Sequence, residues 1–529
     1  MWAAPTYSVA TAASLPHLIR RDGFLCRAEA ANPNNLRKKV VVIGAGWAGL
    51  ASAHHLCKQG IDVTIIDARS FPAEEVTLRG FWSPYRNIFS IMEELGLQPF
   101  TNWTSSSLYT SEGVEVKFPI FQDLPRLPAP LGALVYSQFS HLSLADHLAS
   151  TMLIAAVIDF DGTDAVWRKY DAMTARELFK QFGCSERLYR EAFLPFIEAG
   201  LLAPAEQCSA AAALSMLYYY ALSHQKNFDV AWCRGTVQEK IFNPWRDFLK
   251  SKGCNFHGNK KMTDFIVNKS SGGVTGVICG NDVYEADAFV LAVRISTLKS
   301  TVISSCALQS RQEFLNVLNL SEVDVVKVKI LLDRKVRIPR ASNVCFGNEN
   351  STSWTFFDLN SIFDEYQDET STILEAEFIS NPLMQYYANQ LLPLKDEQIV
   401  AKLISYLSRC IKEFQEAIVI QQIVSRFPKS ATHFFPGSYK YMMKGSTSFQ
   451  NLFMAGDWII TRHGSCAKEK AVVTGLEAAN QVVDYLGAGE FARIIPVEDD
   501  EPHIETLREL NRRLNELRAQ APFSDFFLQ

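Results

Sequence analysis

Three glycines and a carboxylate carry the clearest chemistry in this chain. Val40-Val41-Val42-Ile43 runs straight into Gly44-Ala45-Gly46-Trp47-Ala48-Gly49, and a second apolar run, Val63-Thr64-Ile65-Ile66, ends on Asp67. An apolar strand entering G-x-G-x-x-G, then a helical pattern, then a strand ending on an acid, has the spacing of a dinucleotide cradle. Gly44 permits the tight turn, Gly46 lets backbone approach a pyrophosphate, and Gly49 lets the helix pack against the strand. The free N–H groups and positive dipole end of that helix favour phosphate. Asp67 stands where a carboxylate accepts from a ribose hydroxyl.

A second constellation repeats part of this logic. Leu452-Phe453-Met454-Ala455 runs into Gly456-Asp457, and a helical pattern resumes at Ala467. Gly456 gives close backbone approach, Asp457 can accept from a sugar-chain hydroxyl, and the helix start can aim N–H groups at a phosphate or a ring carbonyl. Arg462 and His463, just past Asp457, are candidate catalytic groups, because an imidazole moves protons near neutral pH. The same four residues, Arg462-His463-Gly464-Ser465, also read as a surface loop. Arg234 reads equally as a phosphate or carbonyl ligand and as the cap of a turn.

The elements that must position these groups are a mixed α/β set. The length of 529 residues predicts two domains or one elaborated fold. A helix is expected over Leu78–Leu95, β structure at 108–109 and 114–118, mostly helix over 140–225, and short strands between 265 and 293. Strands at 325–332, 354–359 and 371–378 surround one helix at 396–414, and a long helix follows Ala467. Ile504, Leu507, Leu510, Leu514 and Leu517 share one face of a C-terminal helix. Nucleotide-type signals therefore recur at the start, middle and end, which predicts a cofactor domain of 38–105, 232–300 and 449–489. A substrate domain of 106–231 and 301–448 is expected to be inserted in it, with a tail from 490 to 529.

Composition excludes several classes. A net charge of −5 gives no electrostatic case for nucleic acid. The 11 cysteines are scattered with no C-x-x-C pair, which argues against a disulfide framework, a zinc site or an iron–sulfur cluster, so no metal is expected. No apolar run reaches the roughly 20 residues that span a bilayer. Residues 1–36 are basic, hydroxyl-bearing and poor in acids, the pattern of an organelle transit peptide.

The segments Val41-Val42-Ile43-Gly44-Ala45-Gly46-Trp47-Ala48-Gly49-Leu50, Phe453-Met454-Ala455-Gly456-Asp457-Trp458 and Val473-Thr474-Gly475-Leu476-Glu477-Ala478-Ala479-Asn480 together resemble the FAD-dependent amine oxidase and carotene desaturase superfamily. Arg79-Gly80-Phe81-Trp82-Ser83-Pro84-Tyr85-Arg86-Asn87 and Cys233-Arg234-Gly235-Thr236 are similar to its plant and cyanobacterial carotenoid desaturase branch. The resemblance covers about residues 38–485. It implies a Rossmann-like FAD-binding domain of the glutathione reductase type with an inserted α+β substrate domain. It also implies one bound FAD, a lipid-soluble polyene reached from a membrane surface, desaturation or isomerisation, and a plastid location, with a quinone as candidate electron acceptor. Alternatives are a flavin amine oxidase and a divergent FAD-binding protein with little catalysis.

Two departures stand out. The family's Gly-Gly pair is missing from Ala68–Arg79, which leaves Arg69 to supply charge to the pyrophosphate. The final helix, which in the family opens Glu-Gly-Ala, here reads Glu469-Lys470-Ala471. An amine oxidase also needs a lysine that holds a water at the flavin. Lys327 and Lys329 alternate with valines and read as a strand edge. A polyene reading predicts an apolar tunnel, with Trp354, Phe356, Phe357 and Tyr218-Tyr219-Tyr220 as candidate lining or as plain core.

Overall fold

The computed structural model describes residues 37–70, 80–110, 113–137, 163–346, 353–379, 384–387 and 390–520, with scattered residues between 139 and 160. The expected leader, 1–36, lies outside the described residues, as does Arg79. From Lys38 onward the described chain forms one compact unit.

Five short strands make a parallel sheet, in the order Leu452–Met454, Ala288–Leu291, Lys39–Ile43, Asp62–Ile66, Asn255–His257. Val40, Val41, Val42 and Ile43 are all buried. A strand in the middle of a parallel sheet is covered on both faces, so its residues run apolar without alternation. The helix Trp47–Lys58 leaves this strand through the glycine turn. Its small residues let the helix Ala467–Leu486 cross it closely: a Cβ at Gly475 would lie 2.2 Å from the Ala48 carbonyl oxygen.

Seven strands form a second sheet, in the order Val419–His433, Ser321–Leu332, Ile373–Ile379, Trp354–Asp358, Ser342–Cys345, Ser106–Thr110, Gly113–Phe118. One face packs on the helix Asp396–Cys410, where Val328, Ile330, Trp354, Phe356 and Leu374 meet Ile399, Leu403 and Leu407. Residues 164–222 are mainly helical. Thr174 and Glu177 close a reciprocal capping box at the start of the helix Ala175–Gln181.

Two local expectations change. Leu78–Leu95 is not one helix: Gly80–Trp82 is a strand paired with Val230–Trp232, and the helix runs Arg86–Glu94. The reason is tertiary, since Trp82 packs on Trp232 across that ribbon with ring centroids 6.4 Å apart. Lys327 and Lys329 do not lie on a strand edge. Ser321–Leu332 is paired on both sides, by Ile373–Ile379 and Val419–His433.

The segment 490–500 is an extended strap. Asn87 holds it at Ile495 through both its amide groups, Asn480 at Ala492, and Gln59 at Glu490. The helix Pro502–Gln520 follows it, as the leucine spacing predicts. Among the described residues, no helix is long and apolar enough to cross a membrane.

Candidate functional site

The strands Lys39–Ile43, Asp62–Ile66, Ala288–Leu291 and Leu452–Met454 are parallel, so their carboxyl ends share one edge of the sheet, and ligands of such sheets bind in the crevice outside that edge. Gly44 follows the first strand at φ +108, a conformation that favours glycine, and its N–H donates to the Ile66 carbonyl at 2.8 Å. A Cβ there would lie 2.2 Å from the Ala292 carbonyl oxygen, and a Cβ at Gly49 would lie 1.9 Å from the Gly44 carbonyl oxygen. Gly46 is different: a Cβ built on it meets nothing within 4 Å. Gly44 and Gly49 thus serve the fold, and Gly46 borders open space in front of the helix N-terminus. Ala45, Trp47 and Ala48 are buried beneath that turn. Trp47 packs edge-on against Phe81 and Phe242.

Asp67 is buried and locks this geometry. Its carboxylate accepts from the Ala45 N–H and the Arg69 N–H, both at 2.9 Å. The Arg69 Nε donates at 3.5 Å to the same oxygen as the Arg69 N–H, and the oxygen that accepts from Ala45 keeps a further lone-pair direction for a sugar hydroxyl. Ala68 and Arg69 are exposed beside it.

A second basic group at the crevice escaped the sequence reading. Arg294 follows the strand Ala288–Leu291, and its charge is felt together with those of Arg69, Asp67, Asp457 and Glu322. Burial and the neighbouring Arg69 cation pull the guanidinium below its usual range, against the three carboxylates. The available signal was its place just past a strand end in the middle nucleotide-type segment. Arg69, Arg294 and the open backbone at Gly46 suit an anionic pyrophosphate, so the residues present fit the phosphates of FAD.

At the other end of the crevice Gly456 has φ +146, and its N–H donates to the Thr474 hydroxyl at 2.9 Å. Asp457 accepts from the Thr432 hydroxyl at 3.2 Å. Burial raises the Asp457 carboxyl, and the Lys470 ammonium opposes that rise. The Lys470 ammonium lies 5.9 Å from the centre of the Phe434 ring. Burial lowers the lysine in turn, against Asp457 and Glu477. Ala471 sits partly buried on the core beneath this turn.

Glu469 is fully buried and faces the other way. It accepts from the Asn87 backbone N–H at 2.7 Å, the Asn87 side chain at 2.8 Å and the Ile88 N–H at 3.1 Å. It thereby caps the helix Arg86–Glu94. Arg462 is exposed. The His463 Nε2 lies 2.7 Å from the Ile495 carbonyl of the strap, and burial lowers its pKa. Arg234 is tied to Asp364 at 2.8 Å, which gives it a structural partner.

Aromatic rings join the ribbon of Gly80–Trp82 and Val230–Trp232 to the seven-stranded sheet. Tyr85 and Tyr220 share a hydroxyl contact of 2.8 Å, Trp82 lies between Tyr220 and Trp232 with its ring steeply inclined to both, and Trp232 meets Phe357 with centroids 5.1 Å apart. A small cavity opens there, lined by Trp232, Phe357, Leu359, Ile362, Phe363, Glu375 and Glu377. Strand alternation divides the aromatic candidates: Phe357 faces this cavity, and Trp354 and Phe356 are core on the opposite face.

The same face of the sheet carries buried charge. Lys327 lies opposite Glu377 and Lys329 opposite Glu375 in the strand register. The Lys327 ammonium is 3.0 Å from Glu377 and 3.6 Å from Glu375, with all three side chains under a tenth exposed. The wall next to the rings is thus apolar with a charged cluster behind it, rather than apolar throughout.

Comparisons with known proteins bear on the family and the fold. Residues 78–483 match the family described as flavin containing amine oxidoreductase, and residues 39–81 match that of FAD dependent oxidoreductases. The 15-cis-phytoene desaturase of Synechococcus elongatus is 23% identical over 84% of this chain and 96% of its own length. The chloroplastic/chromoplastic 15-cis-phytoene desaturase of Arabidopsis thaliana is 22% identical, over 84% of this chain and 80% of its own length. In three dimensions, cyclohexylamine oxidase from Brevibacterium oxydans superimposes with a TM-score of 0.63 at 13% identity, covering 85% of this chain and all of that one.

Proposed function

The chain belongs to the flavin containing amine oxidoreductase family and is an FAD-dependent oxidoreductase, and we propose that it acts on a lipophilic polyene, as a carotenoid desaturase or isomerase. The observation that carries this reading is the match to a phytoene desaturase along 96% of that enzyme's length. The aromatic wall of Trp82, Trp232 and Phe357 supports it, since flat rings suit conjugated carbon.

Bound FAD supplies an acceptor for a hydride or electron pair. In this reading residues 38–105, 232–300 and 449–489 hold the cofactor. Gly44, Ala45, Gly46, Trp47, Ala48 and Gly49 form the turn at the pyrophosphate, and Asp67, Ala68 and Arg69 border the adenosine end. Gly456, Asp457 and Ala471 border the flavin end. Residues 106–231 and 301–448 shape the substrate side. The rings exclude water and fix the chain by contact area. His463 and Arg462 shape the loop after Asp457, His463 through the strap.

A polyene offers no charge to grip, so affinity comes from buried area, at roughly 25 cal/mol per Å² before ordering costs. Quenching of tryptophan fluorescence by a polyene in micelles is therefore expected to be unchanged between low and high salt. Quenching lost on adding salt would count against the reading.

A second reading, amine oxidation, is favoured by one observation: Lys327 is buried between Glu375 and Glu377 at the aromatic cavity. Carboxylates beside rings suit an ammonium, and a buried lysine suits the water-holding role that amine oxidases require.

We place the protein in plastids, peripheral to a membrane, with a quinone as electron acceptor. The acid-poor segment 1–36 and the chloroplastic relative support this. A fluorescent fusion of residues 1–40 should enter plastids; a signal spread through the cytosol or confined to mitochondria would refute the location.

A further inference from the structure

We propose that Cys345 and Cys410 form a peroxide-oxidisable thiol pair, a covalent modification site on the far face of the seven-stranded sheet from the aromatic cavity. Cys345 ends the strand Ser342–Cys345, and Cys410 ends the helix Asp396–Cys410. Their sulfurs are 3.7 Å apart. Strand and helix are clamped together by Trp354, Phe356, Leu403 and Leu407, so the fold itself holds the thiols in contact. A disulfide needs its sulfurs at roughly 2.0 Å, which leaves a short approach to complete.

The two thiols differ in access. Both line a small cavity with Thr110, Phe346, Trp354, Tyr406 and Arg409, and Arg409 is exposed at its rim. Cys410 is half-buried, whereas Cys345 is 1% exposed. Burial also pushes the Cys345 thiol well above its ordinary value, which makes it a poor first nucleophile. Cys410 is therefore the thiol that a small solute reaches, and Cys345 is the resolving partner.

The oxidant class is a hydroperoxide, which is small enough for such an opening. The Cys410 sulfur attacks the peroxide oxygen, the O–O bond breaks, and an alcohol or water leaves, giving a sulfenic acid. The Cys345 sulfur then attacks the Cys410 sulfur. The S–O bond breaks, the S–S bond forms, and water leaves with the Cys345 proton. Two thiols have lost two electrons and the peroxide has gained them.

The chain carries its own controls. Cys57 and Cys254 are neighbours too, but at 6% and 4% exposure, inside the core under the parallel sheet. Cys306 is exposed and reports that oxidant has acted.

The test uses the full-length flavoprotein, treated with hydrogen peroxide, blocked with a maleimide under denaturing conditions and digested without reductant. The expected result is a Cys345–Cys410 linked peptide that dithiothreitol abolishes, while Cys57 and Cys254 are recovered alkylated. Cys345→Ser should leave a Cys410 sulfenic acid that dimedone captures, and Cys410→Ser should leave Cys345 alkylatable. Recovery of both Cys345 and Cys410 as free thiols once Cys306 is oxidised would overturn the proposal. So would a Cys57–Cys254 link formed as fast as theirs, or a Cys410 sulfenic acid that persists in the wild-type chain.

Discussion

Gly46→Val should yield a folded protein that carries no flavin. The backbone at Gly46 has φ −85 and ψ −170, an extended conformation that valine adopts freely. A Cβ there meets no protein atom within 4 Å, so the apoprotein should keep its thermal midpoint, within about 0.5 kcal/mol of stability. What the side chain meets is the space in front of the helix Trp47–Lys58, where a pyrophosphate must lie against bare backbone. The purified variant should be colourless and stay so after FAD is added. Gly49→Ala is the contrasting variant. Its Cβ would fall 1.9 Å from the Gly44 carbonyl oxygen and 3.3 Å from a Val42 methyl. The turn and helix must separate, at a cost of about 1–3 kcal/mol or more to the fold itself. A yellow Gly46→Val protein would move the cofactor away from this turn.

Glu469→Ala should destabilise the chain by about 3 kcal/mol, because it leaves buried N–H donors of Asn87 and Ile88 unpaired at a helix start. The helix Arg86–Glu94 and the strap at Ile495 share that anchor through Asn87, so proteolysis should first open these two segments. A pH effect accompanies it. Burial pushes the Glu469 carboxyl up to about 7, from 4.5, against the pull of its donors. A folded-state value above the unfolded one means that the folded chain binds the proton more tightly. That contribution is complete below the unfolded value and is lost as pH rises through about 7. The wild-type midpoint should fall across this window more than that of Glu469→Ala. Equal stability of the two proteins would remove Glu469 from its capping role.

The cofactor half was legible because its signals are local. The glycine spacing, the unbroken apolar run at Val40–Ile43 and the terminal acid Asp67 all lie within 30 residues, and backbone geometry dictates each of them. The helix from Ala467 was legible for the same reason. Lys327 was misread because alternation fixes which residues share a face and says nothing about what covers that face. Its partners, Glu375 and Glu377, come from a strand about 50 residues later. Trp354, Phe356 and Phe357 could not be sorted into core and cavity until the helix Asp396–Cys410 was seen to cover one side. Glu469 stood out in the sequence as part of a motif, but its capping of a helix nearly 400 residues earlier has no local trace. The strap at 490–500 lacks periodicity altogether, since side chains of distant residues hold its backbone.

This flavoprotein is expected to act on a polyene, either taking electrons from it or changing its geometry. The most direct measurement is the absorbance of the oxidised flavin during anaerobic titration, first with 15-cis-phytoene in detergent micelles and then with cyclohexylamine or putrescine. The polyene should bleach the flavin, a quinone should restore the colour, and the amines should leave it unchanged. If the protein instead isomerises its polyene, the pre-reduced flavoprotein should change the polyene's geometry with no net bleaching. Bleaching by an amine, with a polyene that neither reduces the flavin nor is isomerised, would contradict action on a polyene and assign the chemistry to the cavity bordered by Glu375 and Glu377, which Lys327 pairs.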